Sequence, residues 1–260
     1  MAECAAAGTP LSERGLAAAC DRLRVGLAEI WAVLRVETRG CGFLPDRRPW
    51  IVFERHVFHH ETNGRFDAVY PDVSNPHPGG YGAGGTHQYE RLHTAIRLDR
   101  RAAFRSAAWG IGGVMGRNAE LVGFADVDSM VREMTAAEDA QLRGMHGYIV
   151  ATGLDRALQQ HDWTAFARGY DPKRFAENAH DTLLDDAFQH YTLNGTPDVR
   201  LRAAQVALVY EGCEPGPVDG VMGGRTQEAI RRFQRARALP DTGVLDARTS
   251  DALGMGGEIP

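Results

Sequence analysis

The sequence predicts a mainly α-helical protein, with a large helical domain that includes a small β-hairpin and a compact C-terminal three-helix module. Three observations support this fold class. Apolar residues recur at steps of three and four through most segments. Only one short run, at 50–53, has the composition of a strand, and the turn-forming stretch at 192–197 separates the C-terminal segment from the rest. We therefore divide the chain into a domain at 1–191, a linker at 192–197 and a module at 198–260.

The first predicted helix covers residues 12–36 and leads to an acidic residue. Its apolar stripe consists of Leu16, Cys20, Leu23, Leu27, Ile30 and Leu34. One further step of three reaches Glu37, so this acid should lie at the buried edge of the core, where desolvation favours the protonated, proton-donating form. A glutamate that faces water at a frayed helix end is the alternative. Gly40 and Gly42 favour a sharp turn into a hairpin instead.

A second carboxylate follows the strand-like run. Trp50 to Phe53 is apolar, and Glu54 comes directly after it. Two carboxylates brought together across a turn are the groups that glycosidic bond cleavage uses. A structural ion pair with Arg55 or Arg65 is the competing interpretation of Glu54.

The rest of the large domain alternates loops with helices. Residues 63–85 are rich in Gly, Pro, Asn and Asp, and Tyr70 and Tyr81 in this loop could stack on sugar rings or simply pack. The glycine-rich segment 108–116 lacks the Gly-Lys-Ser/Thr ending of a phosphate loop, so we exclude nucleotide binding. Helices are predicted at 88–108, 127–152, 154–160, 163–169 and 175–191, and in the module at 198–210, 226–238 and 247–253.

Composition excludes several classes of function. A net charge of −5 and an isoelectric point near 6.1 give no electrostatic reason to bind nucleic acid or an anionic membrane. The four cysteines form no CxxC pair, so we expect free thiols and no metal. No cofactor motif is found, and we expect a monomer. The sequence shows neither a signal peptide nor a membrane-spanning run, which predicts synthesis in the cytoplasm and an export route that other proteins supply.

The C-terminal segment resembles the type 1 peptidoglycan-binding domain, a three-helix cell-wall anchor. The resemblance lies in Pro217 to Gly220, Gly223 to Gln234 and Leu239 to Asp246. It implies peptidoglycan glycan strands as the partner. The anchor residues that it implies are Asp219, Gly220, Arg225, Thr226, Gln227 and Phe233.

Residues 11–191 resemble the N-acetylmuramidase domain of modular phage endolysins, which has a lysozyme-like fold. The matching residues are Val36-Glu37, Gly42-Phe43-Leu44, Arg48-Pro49, Phe53-Glu54-Arg55-His56, Trp109-Gly110, Met115-Gly116 and Phe166-Ala167-Arg168-Gly169-Tyr170. The resemblance implies cleavage of the β-1,4 bond between N-acetylmuramic acid and N-acetylglucosamine. Glu37 would be the general acid, and Glu54 a base, an electrostatic stabiliser or an orienting residue. Tyr81, Trp109, Met115 and Tyr170 would contact the glycan.

Four positions depart from the family pattern. Ala108, Gly112 and Gly113 stand where the family has Ser, Phe and Gln, and Asp171 stands where an Asn is usual. A glutamine and an aromatic ring would normally bond and pack the glycan, so these changes predict weaker substrate contacts or an altered cleft.

Other functions remain open from the sequence. The enzyme could be a hydrolase or a lytic transglycosylase. A zinc peptidase would use His56, His59 and His60 near Glu54, although their spacing fits no HExxH motif. A third possibility is a non-catalytic wall-binding protein. For the leading hypothesis, a lytic endolysin released by a holin, deletion of the module should weaken binding and lower activity without abolishing the chemistry.

Overall fold

A computed structural model of the chain describes residues 7–38, 40–172, 175 and 179–255. It is mainly helical, with one small antiparallel sheet. One apolar core fills the large domain, and a smaller core formed by Leu208, Ala229, Ile230 and Phe233 lies in the C-terminal module.

The N-terminal segment forms two helices, α1 (Glu13–Leu23) and α2 (Leu27–Glu37), and the prediction of one helix over 12–36 is wrong. Arg24 ends α1 in the left-handed conformation, with φ 57°, and Gly26 caps α2 in an extended conformation. The sequence pattern does not show the break between α1 and α2, because Leu27 keeps the helical spacing. In the structure the Leu27 side chain is 43% exposed. Within α2 the predicted phase is correct, since Ile30 and Leu34 are buried on the face that ends at Glu37.

The sheet consists of β1 (Ile51–Phe53), β2 (Ala107–Trp109) and β3 (Val114–Met115), in that order and antiparallel. The predicted hairpin at 36–56 is reduced to one isolated bridge between Phe43 and Pro49. The hairpin of this fold joins β2 to β3 instead. Its turn uses Gly110 and Gly113, which have φ of 64° and 59°, a conformation that glycine adopts without strain.

The remaining helices of the large domain surround this sheet. They are α3 (Arg55–Glu61), α4 (His87–Leu98), α5 (Arg100–Arg105), α6 (Val127–Ala136), α7 (Glu138–Ala151), α8 (Asp155–Gln159), α9 (Trp163–Tyr170) and α10 (His180–Asn194). The predicted helices at 88–108 and 127–152 are each split, because Asp99 caps a new helix and Ala137 is extended where it bridges Thr9. Residues 176–178 of the predicted helix 175–191 lie outside the described residues. Since α10 continues to Asn194, the first part of the predicted linker 192–197 is helical.

The C-terminal module contains α11 (Val199–Tyr210), α12 (Gly224–Ala236) and α13 (Ala247–Ala252). Two buried glutamines each organise one loop. The side-chain oxygen of Gln205 accepts hydrogen bonds from the backbone N–H groups of Asp219 and Gly220, and its amide nitrogen donates to the Thr226 hydroxyl. In the second loop, the side-chain oxygen of Gln234 accepts from the backbone N–H groups of Thr242 and Gly243, and its amide nitrogen donates to the Thr249 hydroxyl. The module is therefore built from two copies of one loop-to-helix arrangement.

A buried ion pair joins the module to the large domain. The Arg202 guanidinium on α11 donates to both carboxylate oxygens of Glu138 on α7, at 2.6 and 3.0 Å, and to the carbonyl of Gly40 at 2.6 Å. The Arg202 and Glu138 side chains are 2% and 0% exposed. Such a pair is stable in the interior only when its geometry is good and its remaining polar atoms are bonded, so it fixes the two parts against each other.

Three cysteines in the described part of the chain are free thiols, as expected from their spacing, and Cys4 lies outside it. Burial raises the pKa of Cys41 to about 12, with a further contribution from the Glu138 carboxylate, so this thiol stays protonated and unreactive. Among the described helices, none is long and apolar enough to cross a bilayer.

Candidate active site

Glu37 is held at the C-terminal end of α2 by a histidine from α10. The Glu37 side chain is 3% exposed, and its Oε1 lies 2.5 Å from Nε2 of His180, which is 2% exposed. The two helices make the most extensive helix contact of the described chain. Because both groups are desolvated and share one short hydrogen bond, the carboxyl group has a fixed position and direct access to a proton.

A cleft of about 420 Å³ opens in front of Glu37. Thr38 and Cys41 continue its floor from the end of α2, and the sheet contributes Ile51, Val52 and Ala108. The opposite wall comes from the loop that the sequence marked as irregular, through Tyr81, Gly82, Gly84 and Gly85, with Trp50 beside them. The cleft combines two aromatic rings, one desolvated acid and exposed backbone, which is the composition of a saccharide site.

Glu54 lies behind the wall of this cleft. It follows β1, caps the start of α3 and places Oε2 3.1 Å from Nδ1 of His56. The Tyr81 hydroxyl hydrogen-bonds to Glu54, and the pKa of Tyr81 is raised by its burial and by the nearby Glu54 and Asp171 carboxylates. The phenol therefore stays protonated and able to donate. Glu54 reaches the cleft through Tyr81, since it is not among the described residues that line the cleft.

Of the four residues expected to contact the glycan, only some lie at the cleft. Tyr81 lines the cleft as expected. The assignment of Trp109 as a glycan contact is wrong for this structure, because its side chain is fully buried, packs edge-on against Phe104 and donates its indole N–H to the Phe104 carbonyl. Met115 is half-buried opposite Ala108 on β3, outside the described cleft lining. Tyr170 donates to the carbonyl of Gly112 at 3.1 Å and so supports the β2–β3 turn from behind.

Three of the four positions that depart from the family pattern, Ala108, Gly112 and Gly113, lie in the β2–β3 hairpin on the sheet side of the cleft. Ala108 and Gly113 line it directly, and Gly113 has open space where a side chain would begin. At Gly112 an added Cβ would come within 2.7 Å of Met145 and 3.0 Å of the Tyr170 hydroxyl. The cleft is therefore open at Gly113, whereas the space next to Gly112 is filled by Met145 and Tyr170. A bulky aromatic side chain would not fit at 112 without rearrangement.

The loop after Glu37 is fixed by buried polar groups that the sequence did not reveal. Glu138 accepts the backbone N–H groups of Gly42 and Leu11, and burial, which alone would raise the pKa of Glu138, is outweighed by Arg202, so this pKa lies below its usual range. Gln141, also fully buried, accepts the N–H of Ile111 in the β2–β3 turn. A Cβ at Gly42 would overlap the Gln141 amide, which explains why this position needs glycine.

The six predicted anchor residues divide into buried and exposed groups. Thr226 and Phe233 are buried, and Gly220 is packed so that a Cβ would lie 2.6 Å from the Asp198 carbonyl. These three residues build the module from buried positions, so their part in the anchor stays a prediction and would be to support the residues at the surface. The exposed residues are Asp219, Arg225 and Gln227. Direct wall contact by these three stays a prediction.

The histidines of the zinc-peptidase hypothesis have carboxylate neighbours. His56 lies beside Glu54, and His59 Nδ1 is 2.7 Å from Asp67.

His180, the partner of Glu37, was not predicted from the sequence. A signal for it exists, because His180, Leu184 and Ala187 form the buried stripe of α10 at helical spacing, just as Ile30, Leu34 and Glu37 do on α2. The sequence alone does not say that these two stripes face each other.

Comparison with known proteins identifies the family of each part of the chain. The profile of the N-acetylmuramidase family matches residues 26–192, and that of a putative peptidoglycan binding domain matches residues 198–253. The solved crystal structure of the Burkholderia AP3 phage endolysin is similar, with 36% sequence identity, a TM-score of 0.67 and coverage of 71% of this chain and 72% of that one. No curated protein sequence is significantly similar. The chain therefore belongs to the N-acetylmuramidase family, and it is a modular, peptidoglycan-degrading endolysin in which a muramidase domain precedes a wall-binding module.

Proposed function

We propose that this enzyme hydrolyses the β-1,4 bond between N-acetylmuramic acid and N-acetylglucosamine, with Glu37 as the general acid. The observation that carries the proposal is the position of Glu37, desolvated at 3% exposure, bonded to His180 and lining the cleft. Desolvation favours the protonated form of a carboxyl group, and that form can give its proton to the departing glycosidic oxygen. His180 is a positioning residue that holds the carboxyl group in the orientation needed for this transfer.

The second carboxylate has an indirect role in this proposal. Glu54 bonds to the Tyr81 hydroxyl, and Tyr81 faces the glycan. The negative charge of Glu54 orients the phenol and favours the positive charge that develops on the sugar ring as the bond breaks. Water then attacks the anomeric carbon, and the Glu37 carboxylate, which has given its proton to the leaving sugar, takes up the proton that the water loses.

Replacement of Glu54 by glutamine tests its role. Glutamine keeps an acceptor for the Tyr81 hydroxyl but loses the charge, so we expect kcat to fall by about 5- to 30-fold, which corresponds to the difference between a charge-assisted and a neutral hydrogen bond. Steady-state release of reducing sugar ends measures the effect, and Tyr81→Phe should give a loss of similar size. If Glu54→Gln instead removed as much activity as Glu37→Gln, Glu54 would be a direct participant in bond cleavage.

The C-terminal module binds the enzyme to the cell wall in this proposal. The exposed Asp219, Arg225 and Gln227 hold the enzyme on the wall, while the cleft cuts the strand. The enzyme acts as a monomer, because one chain supplies both the cleft and the anchor. It is made in the cytoplasm and reaches the periplasm and cell wall after holin-dependent release, which causes lysis.

Mass spectrometry of digested peptidoglycan tests the reaction itself. We expect disaccharide fragments with N-acetylmuramic acid at the reducing end and one added water. Fragments that end in an anhydro-sugar, lighter by one water, would make the enzyme a lytic transglycosylase. Cut stem peptides with intact glycan would support the peptidase, and intact peptidoglycan would support the non-catalytic wall-binding protein. Any of these three results overturns the proposal.

A further inference from the structure

A second cavity lies between the large domain and the C-terminal module. This inter-module groove, of about 260 Å³, is lined on the domain side by Arg35, Thr38 and Tyr191 and on the module side by Pro217, Val218 and Asp219. It shares Thr38 and Ile111 with the catalytic cleft. The two cavities are therefore neighbours that meet directly beside Glu37.

The groove carries one charge of each sign at its edges. Arg35 and Asp219 are both exposed, and they come from different parts of the chain. The Arg35 guanidinium lies over the Tyr191 ring, 5.8 Å from its centroid, and also hydrogen-bonds to that side chain. Its position is thus set before any ligand arrives, which lowers the entropy lost on binding. Between the charges the surface is apolar, with Trp31, Leu34 and Val218.

The two walls of the groove are held together by direct contacts between the large domain and the module. The Glu138–Arg202 pair fixes α11 to the large domain, and Arg202 itself lines the groove. Gly40, on the domain side, approaches the module so closely that an added Cβ would lie 3.1 Å from the Val218 carbonyl. The two walls are therefore held at a defined separation.

We propose that the inter-module groove binds the stem peptide of the muramic acid residue in the catalytic cleft. This inference rests on the proposed muramidase function and extends it to the peptide branch. The peptide leaves the sugar through its lactyl ether and must exit the cleft sideways. It carries a free carboxylate, which Arg35 pairs with, and in uncrosslinked strands the ammonium group of its diamino acid, which pairs with Asp219. Its aliphatic side chains match the apolar floor of the groove.

The test compares two soluble glycan substrates, one that carries the stem peptide and one in which an amidase has removed the peptide and left the lactyl carboxylate. Uncrosslinked strands are prepared with their stem peptides, and half are stripped by an amidase. We expect the wild-type enzyme to have a kcat/KM about 3- to 10-fold higher on peptide-bearing strands, the gain of one or two partly exposed charge pairs. In Arg35→Ala this ratio should fall measurably towards one, because the pairing of Asp219 with the ammonium group remains, and in Arg35→Glu it should fall further.

A matched control and a chemical probe complete the experiment. Arg132→Ala removes an exposed arginine on α6, outside the groove, and should keep the wild-type ratio. Acetylation of the ammonium group on the peptide should reduce the ratio for the wild type. A wild-type ratio of one, or an unchanged ratio in Arg35→Ala, overturns the proposal. Muramidase activity is scored separately, because failure to cut stripped strands would count against the proposed reaction and not against the groove.

Discussion

Glu37→Gln is expected to lower kcat by at least about a hundred-fold, because the lost group is the proton donor for the leaving sugar. Glutamine has nearly the same shape and can still hydrogen-bond to His180, so the contact between α2 and α10 should remain. It has no carboxyl proton to give. Turbidity of outer-membrane-permeabilised cells should therefore stay constant, and release of reducing ends from soluble strands should fall to near background.

The same variant should bind purified sacculi as the wild type does, because the exposed residues of the module are untouched. Glu90→Gln is a suitable control, since Glu90 is an exposed glutamate on α4 at 76% side-chain exposure and lies outside the described cleft lining. Circular dichroism and thermal unfolding would confirm that both variants are folded. Full activity in folded Glu37→Gln would remove Glu37 from the mechanism and with it the proposed reaction.

The position of Glu37 could be predicted because helical phase is local information. Ile30 and Leu34 define a buried face, and a residue three positions later falls on the same face whatever surrounds it. The break between α1 and α2 could not be seen in this way. Arg24 takes a left-handed conformation while Leu23 and Leu27 keep their helical spacing, so the pattern continues across a gap in the helix.

The strands and the buried polar contacts needed long-range information. β2 and β3 are three and two residues long, too short for an alternating pattern to be read. Trp109 was expected to contact the glycan because it belongs to the family motif, but its pairing with Ile51 across the sheet places it in the core. The His180–Glu37 bond joins residues 143 positions apart, and no spacing in the sequence encodes it.

The sequence predicted that the C-terminal module serves only as a cell-wall anchor, whereas in the structure it also contacts the large domain. Its motifs were recognisable because they are continuous runs of sequence, at Pro217 to Gly220, Gly223 to Gln234 and Leu239 to Asp246. Arg202 gave no such signal, since an arginine in a helix usually faces water. In the structure it is buried against Glu138 and holds the Gly40 carbonyl, two residues before Gly42. Deletion of the module should thus do more than weaken wall binding, because it leaves Glu138 buried without its partner.

Arg202→Met is expected to lower the free energy of unfolding by about 3 to 5 kcal/mol, the usual cost of removing one member of a buried pair. Chemical denaturation at neutral pH measures this loss. Arg202→Lys should recover part of it, because lysine keeps the charge but does not reproduce the bidentate contact with Glu138 and the bond to Gly40. A loss below about 1 kcal/mol in Arg202→Met would mean that the two parts are not coupled through this pair.

The pH dependence of stability gives an independent check on the pair. The pKa of Glu138 is held below its ordinary value of about 4.3, so the pair contributes fully above that pH and its contribution is lost as the pH falls through the folded-state pKa. Wild-type stability should therefore decrease on acidification below about pH 4. In Arg202→Met this decrease should be much smaller, because the charge that lowers the Glu138 pKa is gone.

Activity distinguishes a positioning role of Arg202 from a purely structural one. The residue bonds to Gly40 and, through Glu138, fixes Gly42, and this loop continues from Glu37 and Thr38 along the cleft. We expect kcat on soluble glycan strands, measured at a temperature where the variant is fully folded, to fall about ten-fold with a smaller change in KM. Soluble strands remove the effect of wall targeting. An unchanged kcat in the folded variant would limit Arg202 to stability, whereas a ten-fold loss restored in part by lysine would make the wall-binding module a support for the catalytic acid.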